Sequence, residues 1–207
     1  MREGSGHMAR NAERDRIQRV ERQQQILDAA KEIFTLRGVA AAKMSDIAAH
    51  AGVSHGSVYT YFASKEELLS AMVLQGQSGY TLLLREMKLQ PGDAIEKLKW
   101  LIHKFLLREK SDMTYWVVLQ AQATDVLSSG VREQIQRNVL ANRDLIIEVI
   151  EEGQKAGCIA EWDSTELATI FITAFHNMAL WPIRGFGKPE VTVVGPLLKL
   201  LQPSFLK

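Results

Sequence analysis

Apolar residues recur along this chain at helical spacing, and no stretch alternates with the two-residue period of a strand. Ile26, Ala30, Ile33 and Phe34, with Arg37, follow the roughly 3.6-residue period of one helix, and Gly38 supplies its usual stop. Residues 44–69 read as a short helix, a tight turn over Ala51, Gly52, Val53 and Ser54, and a second helix. Ser64 and Glu67 then form a capping box for a long helix that runs toward Leu89 and stops before Pro91 and Gly92. Asp93 with Glu96 opens another, to about Glu109. A further helix is expected over roughly 112–127, and a long one over about 131–155 that Gly157 ends. Asp163 with Glu166 caps the next, which Pro182 and the glycine-rich stretch to Gly187 end. The last begins near Pro189 and is expected to bend or break at Gly195 and Pro196. The pattern predicts an all-α fold of about nine helices, three of them in a small N-terminal domain.

Within that small domain the polar positions carry the information. A helix-turn-helix unit needs a first helix that packs closely on a second, a turn that usually contains glycine, and a second helix able to enter the DNA major groove. Ile47 and Ala48 are the apolar, small residues of the first helix, Gly52 can take the positive φ that ends it, and Val53 plugs the corner. Ser54 supplies an N-cap oxygen. Val58 and Phe62, four apart, point inward, which leaves His55, Ser57, Tyr59, Thr60 and Tyr61 facing outward. Gly56 is costly in a helix, by about 1 kcal/mol against alanine, and is explained by a close approach to DNA or to a neighbouring helix.

The run Asp46-Ile47-Ala48, Ala51-Gly52-Val53-Ser54, Gly56, Tyr59, Tyr61-Phe62, Ser64-Lys65-Glu66 and Leu68-Leu69 resembles the DNA-binding domain of the TetR family of bacterial transcription regulators. The resemblance is specific from roughly Gln24 to Met72; beyond that it rests on helix count. It departs where family members carry two hydroxyl residues before the first helix of the motif, since this chain has Ala42 and Lys43. Ser45 could then cap a shorter helix, and Lys43 could meet a phosphate by charge. The resemblance implies base contacts from His55, Ser57 and Thr60, whose methyl could touch a thymine, and phosphate contacts from Tyr59, Tyr61 and Lys65. It implies residues 19–66 as the DNA-binding domain and 67–207 as a helical ligand-binding and dimerisation domain.

Composition adds limits. The chain has 207 residues, 46% hydrophobic, enough for a real core. The single cysteine, Cys158, excludes an intramolecular disulfide, and no apolar run reaches membrane-spanning length, so the expectation is a cytoplasmic protein with no membrane contact. Residues 1–8 resemble a vector remnant, and residues 1–18 as a whole are expected to be that remnant followed by a flexible basic arm. The net charge of +1 hides an asymmetry: through Lys65 there are ten basic residues against seven acids, and beyond it fifteen against seventeen. Arg10, Arg14, Arg16, Arg19 and Arg22 crowd the approach to the first helix, where an arm could follow the DNA backbone. The alternative is a solvated helical stretch interleaved with Glu13, Asp15 and Glu21.

The C-terminal helices are apolar on more than one side. Residues 95–107 and 113–120 both place large apolar side chains all round, as central helices do. Ordinary close packing accounts for any one of them. Taken together with the resemblance, Trp100, Tyr115, Trp116, Phe171 and Phe175, with His103, Gln120 and Asn177 as polar handles, are candidates for the wall of a small-molecule pocket. Ile172, His176, Ala179 and Leu180, with Val191, Val193, Val194, Leu197, Leu198, Leu200 and Leu201, are candidates for a homodimer interface, which would let two heads read both halves of a palindromic operator on double-stranded DNA. Gly76 and Gly79 could form a hinge or a helix crossing.

No HExxH, GxSxG, Walker loop or strand-linked GxGxxG is present, and none of the five histidines has metal-ligand spacing. No cofactor, metal or catalytic residue is expected. The reading is a homodimeric repressor released from its operator by a largely apolar small molecule. The alternatives are a ligand-independent or activating regulator, a helical enzyme assembled from distant residues, and a helical protein-binding adaptor.

Overall fold

The computed structural model describes residues 4–106, 127–178, 180–181, 184–187 and 190–203. Among them lie eight α-helices and no strand: α1 (Gly4–Ala41), α2 (Met44–His50), α3 (His55–Tyr61), α4 (Lys65–Lys88), α5 (Ala94–Leu106), α6 (Ser129–Lys155), α7 (Ser164–Met178) and α8 (Val194–Lys199), the last preceded by a 3-10 turn at Val191–Val193. The helix expected over roughly 112–127 falls almost wholly outside the described residues.

Local signals set most of these boundaries. Gly38 leaves the helical basin with φ 75° and ψ 158°, breaking α1 at the expected residue. Gly157, at φ 73°, follows the end of α6. The Asp93 carboxylate accepts from the Glu96 amide at 2.9 Å while Glu96 reaches back to the Asp93 amide at 3.1 Å, a complete capping box for α5. Ser64 accepts from the Glu67 amide at 3.1 Å, but Glu67 returns to Ala63 instead, and Asp163 accepts from Glu166 while Glu166 turns to the Trp162 indole.

Three expectations are corrected. Residues from Gly4 onward are helical, where a flexible arm to residue 18 was expected, and Arg16 pairs with Glu13 one turn back on that helix. Helix α7 ends at Met178, before Pro182. The last helix is only six residues long and passes through Gly195 and Pro196, because Pro196 lies in the first turn, where no amide donor is needed.

The described chain divides into two compact units, with residues up to 73 and Leu127 in one and the described residues of 74–106 and 128–203 in the other. The boundary lies within α4, later than the expected position after residue 66, and the first two turns of α4 go with the first unit, with Leu68, Leu69, Met72 and Val73 all buried. In the first unit α1 packs on α2 and α2 on α3. Ile26, Ala30, Ile33 and Phe34 of α1 are buried, as are Ile47, Val58 and Phe62. Three polar links fasten α1 to the motif: Gln25 donates to the Ala51 carbonyl at 2.6 Å, Arg37 meets Asp46 at 2.6 Å, and Glu32 meets His50 at 2.7 Å.

The second unit has one continuous core, drawn from Leu83, Leu84 and Met87 of α4, Leu98, Leu101 and Ile102 of α5, Ile146, Val149 and Ile150 of α6, and Leu167, Phe171 and Phe175 of α7. Val194, Leu197, Leu198 and Leu201 also belong to it, so these residues do not supply the outward dimer face expected of them. Gly153 on α6 is required by a close approach: a Cβ there would lie 2.7 Å from the Ala94 Cβ and 2.6 Å from Ile159 Cδ1.

A polar ladder runs between α4 and α6 through otherwise apolar packing. Asn138 donates to the Gln77 side-chain oxygen at 2.9 Å, Thr81 donates to the Asn142 side-chain oxygen at 2.8 Å, and Gln134 donates to Asn138 at 2.9 Å. Gln77 and Asn142 are the two buried polar residues among those described, and both have partners, as low-dielectric surroundings demand. Helix α4 continues through Gly76 and Gly79 without interruption, and a Cβ at Gly79 would meet nothing within 4 Å, so a tight helix crossing does not explain Gly79.

Candidate nucleic-acid interface and effector region

The α2–turn–α3 geometry follows from three local devices. Gly52 takes φ 63° at the corner, Val53 donates its amide to Ala48, and Ser54 caps α3 by accepting from the Ser57 amide at 3.1 Å. With Val58 and Phe62 inside, His55, Gly56, Tyr59 and Thr60 are exposed and Ser57 and Tyr61 half-buried. The His55 ring meets Tyr59 edge-on at 5.1 Å, which props the phenol against the start of the helix. Thr60 donates its hydroxyl to the Gly56 carbonyl at 3.3 Å, so the methyl is what this exposed side chain has left to offer.

Gly56 now has a narrower explanation. Its φ is not positive, and a Cβ there would meet nothing within 4 Å, so no neighbouring helix demands a glycine.

Two assignments at the edges of the motif change. Lys43 is the N-cap residue of α2 and makes no side-chain cap bond, while Ser45 lies inside the first turn and does not cap a shortened helix. Lys43 is exposed, as a phosphate contact requires. Lys65 does not stand free at the start of α4. Its ammonium donates to the carbonyls of Val39 at 2.9 Å, Ala40 at 3.1 Å and Ala42 at 3.1 Å, using all three donors on the segment that joins α1 to α2. The expected phosphate contact of Lys65 gives way to this internal role.

In the second unit, Phe171 and Phe175 are fully buried and stacked at 5.7 Å. Phe175 also meets Phe105 at 4.8 Å, and Tyr80 and His176 complete the ring cluster, with the Tyr80 hydroxyl 3.1 Å from His176 Nε2. Burial pushes the His176 imidazole down to a pKa of about 4, so it is neutral at physiological pH. Trp100 is half-buried against the same core with the Lys104 ammonium 5.7 Å from its ring centre, and His103 is half-buried. Asn177 accepts from Arg184 and is thereby occupied. Tyr115, Trp116 and Gln120 lie outside the described residues. The sequence does not show that Tyr80, Phe105 and Phe175 meet, nor that His176, a candidate for the dimer face, joins them, because the cluster draws on helices far apart in the chain. Among the described residues no group of His, Cys, Asp and Glu is arranged to hold a metal, and no helix is long and apolar enough to cross a membrane.

Residues 26–72 match the family described as bacterial regulatory proteins, tetR family. Over 179 residues the chain is 26% identical to the fatty acid metabolism regulator protein of Bacillus subtilis (strain 168), covering 86% of this chain and 92% of that one. The fold is similar to that of the transcriptional regulator FadR from Bacillus subtilis in complex with stearoyl-CoA, at a TM-score of 0.70 and 23% identity over 86% of this chain and 97% of that one. It is similar also to AibR in complex with isovaleryl coenzyme A and operator DNA, at a TM-score of 0.71 and 21% identity over 88% and 98% of the two chains. Over residues 26–72 the chain carries the domain of the tetR family of bacterial regulatory proteins. It is a DNA-binding transcription regulator of the helix-turn-helix kind, and not an enzyme.

Proposed function

We propose that the protein is a homodimeric repressor of a palindromic operator, released when an acyl thioester of coenzyme A occupies its second unit. The observation that carries the DNA half is the surface of α3, where the exposed His55 and the half-buried Ser57 flank an exposed glycine that no described neighbour requires. In this reading His55 and Ser57 contact base edges, Thr60 offers its methyl to a thymine, and Gly56 lets the helix approach closely. The hydroxyls of Ser54 and Tyr59 and the ammonium of Lys43 take phosphates.

The effector class is supported by likeness to the Bacillus subtilis fatty acid metabolism regulator and to regulators solved with stearoyl-CoA and isovaleryl coenzyme A. Such a ligand acts only through differential affinity: it shifts the population toward the conformation it binds better and leaves the equilibrium unmoved if both conformations bind it equally. For the dimer, the outward face of α7 presents Thr169, Ile170 and Thr173, with Ile170 54% exposed, and Phe186 beyond it is 70% exposed.

Selection of binding sites from random duplexes tests the first half. The parent is expected to return a palindrome, His55→Ala a palindrome with altered base preference, and Tyr59→Phe the parent motif bound more weakly. Stearoyl-CoA is expected to release the selected duplex while free coenzyme A does not, and sedimentation is expected to give a dimer that Ile170→Glu dissociates. An unpalindromic motif that His55→Ala leaves unchanged would sink the DNA assignment. Release by no acyl thioester of any chain length would sink the effector.

A further inference from the structure

The N-terminal part of α1 is a helix with a sided charge distribution. At 100° per residue, Arg16, Arg19 and Arg22 fall on the face that, further along the same helix, buries Ile26, Ala30 and Ile33. Arg22 stands one turn before Ile26, Arg19 two turns before it, and Arg16 two turns before Gln23. Glu13, Ile17 and Glu21 fall on the other side with Arg14. Residues 12–22 are all exposed, so the three arginines prolong the core-facing stripe past the end of the core. A direct contact fixes where that stripe points: the Arg19 guanidinium lies 5.5 Å from the ring centre of Tyr61, the last residue of α3.

We infer that this arginine face is a second DNA-backbone contact, lying on the α3 side of the first unit and taking phosphates beyond those reached by the helix-turn-helix itself. The inference rests on the DNA-binding reading of α3. Charge complementarity identifies the occupant. The face carries three guanidinium groups and the acid Asp15, whereas the opposite side carries two acids and one base. Six residues of helix span about 9 Å, the rise of two to three base pairs at ~3.4 Å each, so Arg16 and Arg22 are spaced for separate phosphates. Arg16 is held by Glu13 in a bidentate pair at 2.7 and 3.0 Å, and Arg22 donates to Gln25 at 2.9 Å. Exposed pairs of this kind contribute little and yield to a phosphate, whose bidentate geometry a guanidinium matches. The contact carries no sequence code, because it reaches no base edge.

The test compares Arg16→Ala/Arg22→Ala with Arg14→Ala, a removal of charge from the opposite face, on the selected duplex and on an unrelated one over a salt series. The double variant is expected to bind both duplexes more weakly and to lower the salt slope by about 0.9 for each phosphate no longer neutralised, hence about 1.8 for each subunit. Arg14→Ala is expected to leave the slope within error of the parent, and Glu13→Gln to tighten binding by freeing Arg16. An unchanged slope in the double variant overturns the inference, as does an equal weakening in Arg14→Ala. If the parent keeps its His55-dependent motif while the double variant behaves like it, the arginine face alone fails; if the parent binds no duplex, both readings fail.

Discussion

Lys65→Met is expected to lower the unfolding free energy of the first unit by about 2–3 kcal/mol and to abolish operator binding well below physiological salt. The three carbonyls that Lys65 holds belong to the segment just after Gly38, where α1 has ended and its last acceptors have no helical partner. A hydrogen bond from a charged donor contributes ~1.5–3 kcal/mol when well buried, and the figure here is reduced because Lys65 is only half-buried. No other side chain substitutes for it, since Lys43, the N-cap of α2, makes no cap bond. The second effect follows from the first. With the α1–α2 connection loosened, α2 no longer seats α3, and every DNA contact is weakened at once. Amide exchange of α2 and α3 gives the readout within the first unit. Unaltered exchange together with a reduced salt slope would return Lys65 to the phosphate role that the motif implied.

The second large effect is on pH. His176 has its folded pKa depressed by burial to about 4, below the ordinary value of 6.5 that it regains on unfolding. Between those values the unfolded chain binds the proton and the folded chain does not, so stability rises with pH and is lost as pH falls from about 6.5 to about 4. The full span corresponds to about 3 kcal/mol, at ~1.4 kcal/mol per pH unit of difference. Denaturant midpoints followed by tryptophan fluorescence are expected to fall over this window in the parent and to be flatter in His176→Gln. Carboxylates titrate in the same range, so the difference between the two profiles is the quantity of interest. Parallel profiles would show that the imidazole accepts its proton in the folded state without cost.

What could be read from spacing was local. Gly38, Gly52 and Gly157 mark turns whose backbone angle glycine alone adopts easily, and Ser54, Ser64 and Asp93 cap helices through bonds three residues long. Helical phase likewise placed Val58 and Phe62 inside and His55 and Thr60 outside. It could not say what an inward residue meets. Phe171 and Phe175, candidates for a pocket wall, lie in the packed core of the second unit, and phase along one helix does not reveal that Tyr80 and Phe105 come from other helices to meet them. Lys65 read as a surface charge because its carbonyl partners lie 23 to 26 residues away. The last leucines, apolar enough to suggest an interface, are consumed by the core of their own unit, a choice that only packing can make.

The ladder between α4 and α6 pairs residues at a constant offset of 61, Gln77 with Asn138 and Thr81 with Asn142, so the two helices run in the same direction and mesh like teeth on a rack. Sliding α4 by less than a turn would bury amides with no partner, and the next position of equivalent mesh is a full turn away, about 5.4 Å: toward the C-terminus of α6 Thr81 would face Ile146 and Asn138 would lose Gln77, and the other way Thr81 would face Asn138 and Gln77 would face Gln134. Lengthwise travel of one helix against the other is thus confined to steps, and any force that drives it meets a threshold instead of a gradient.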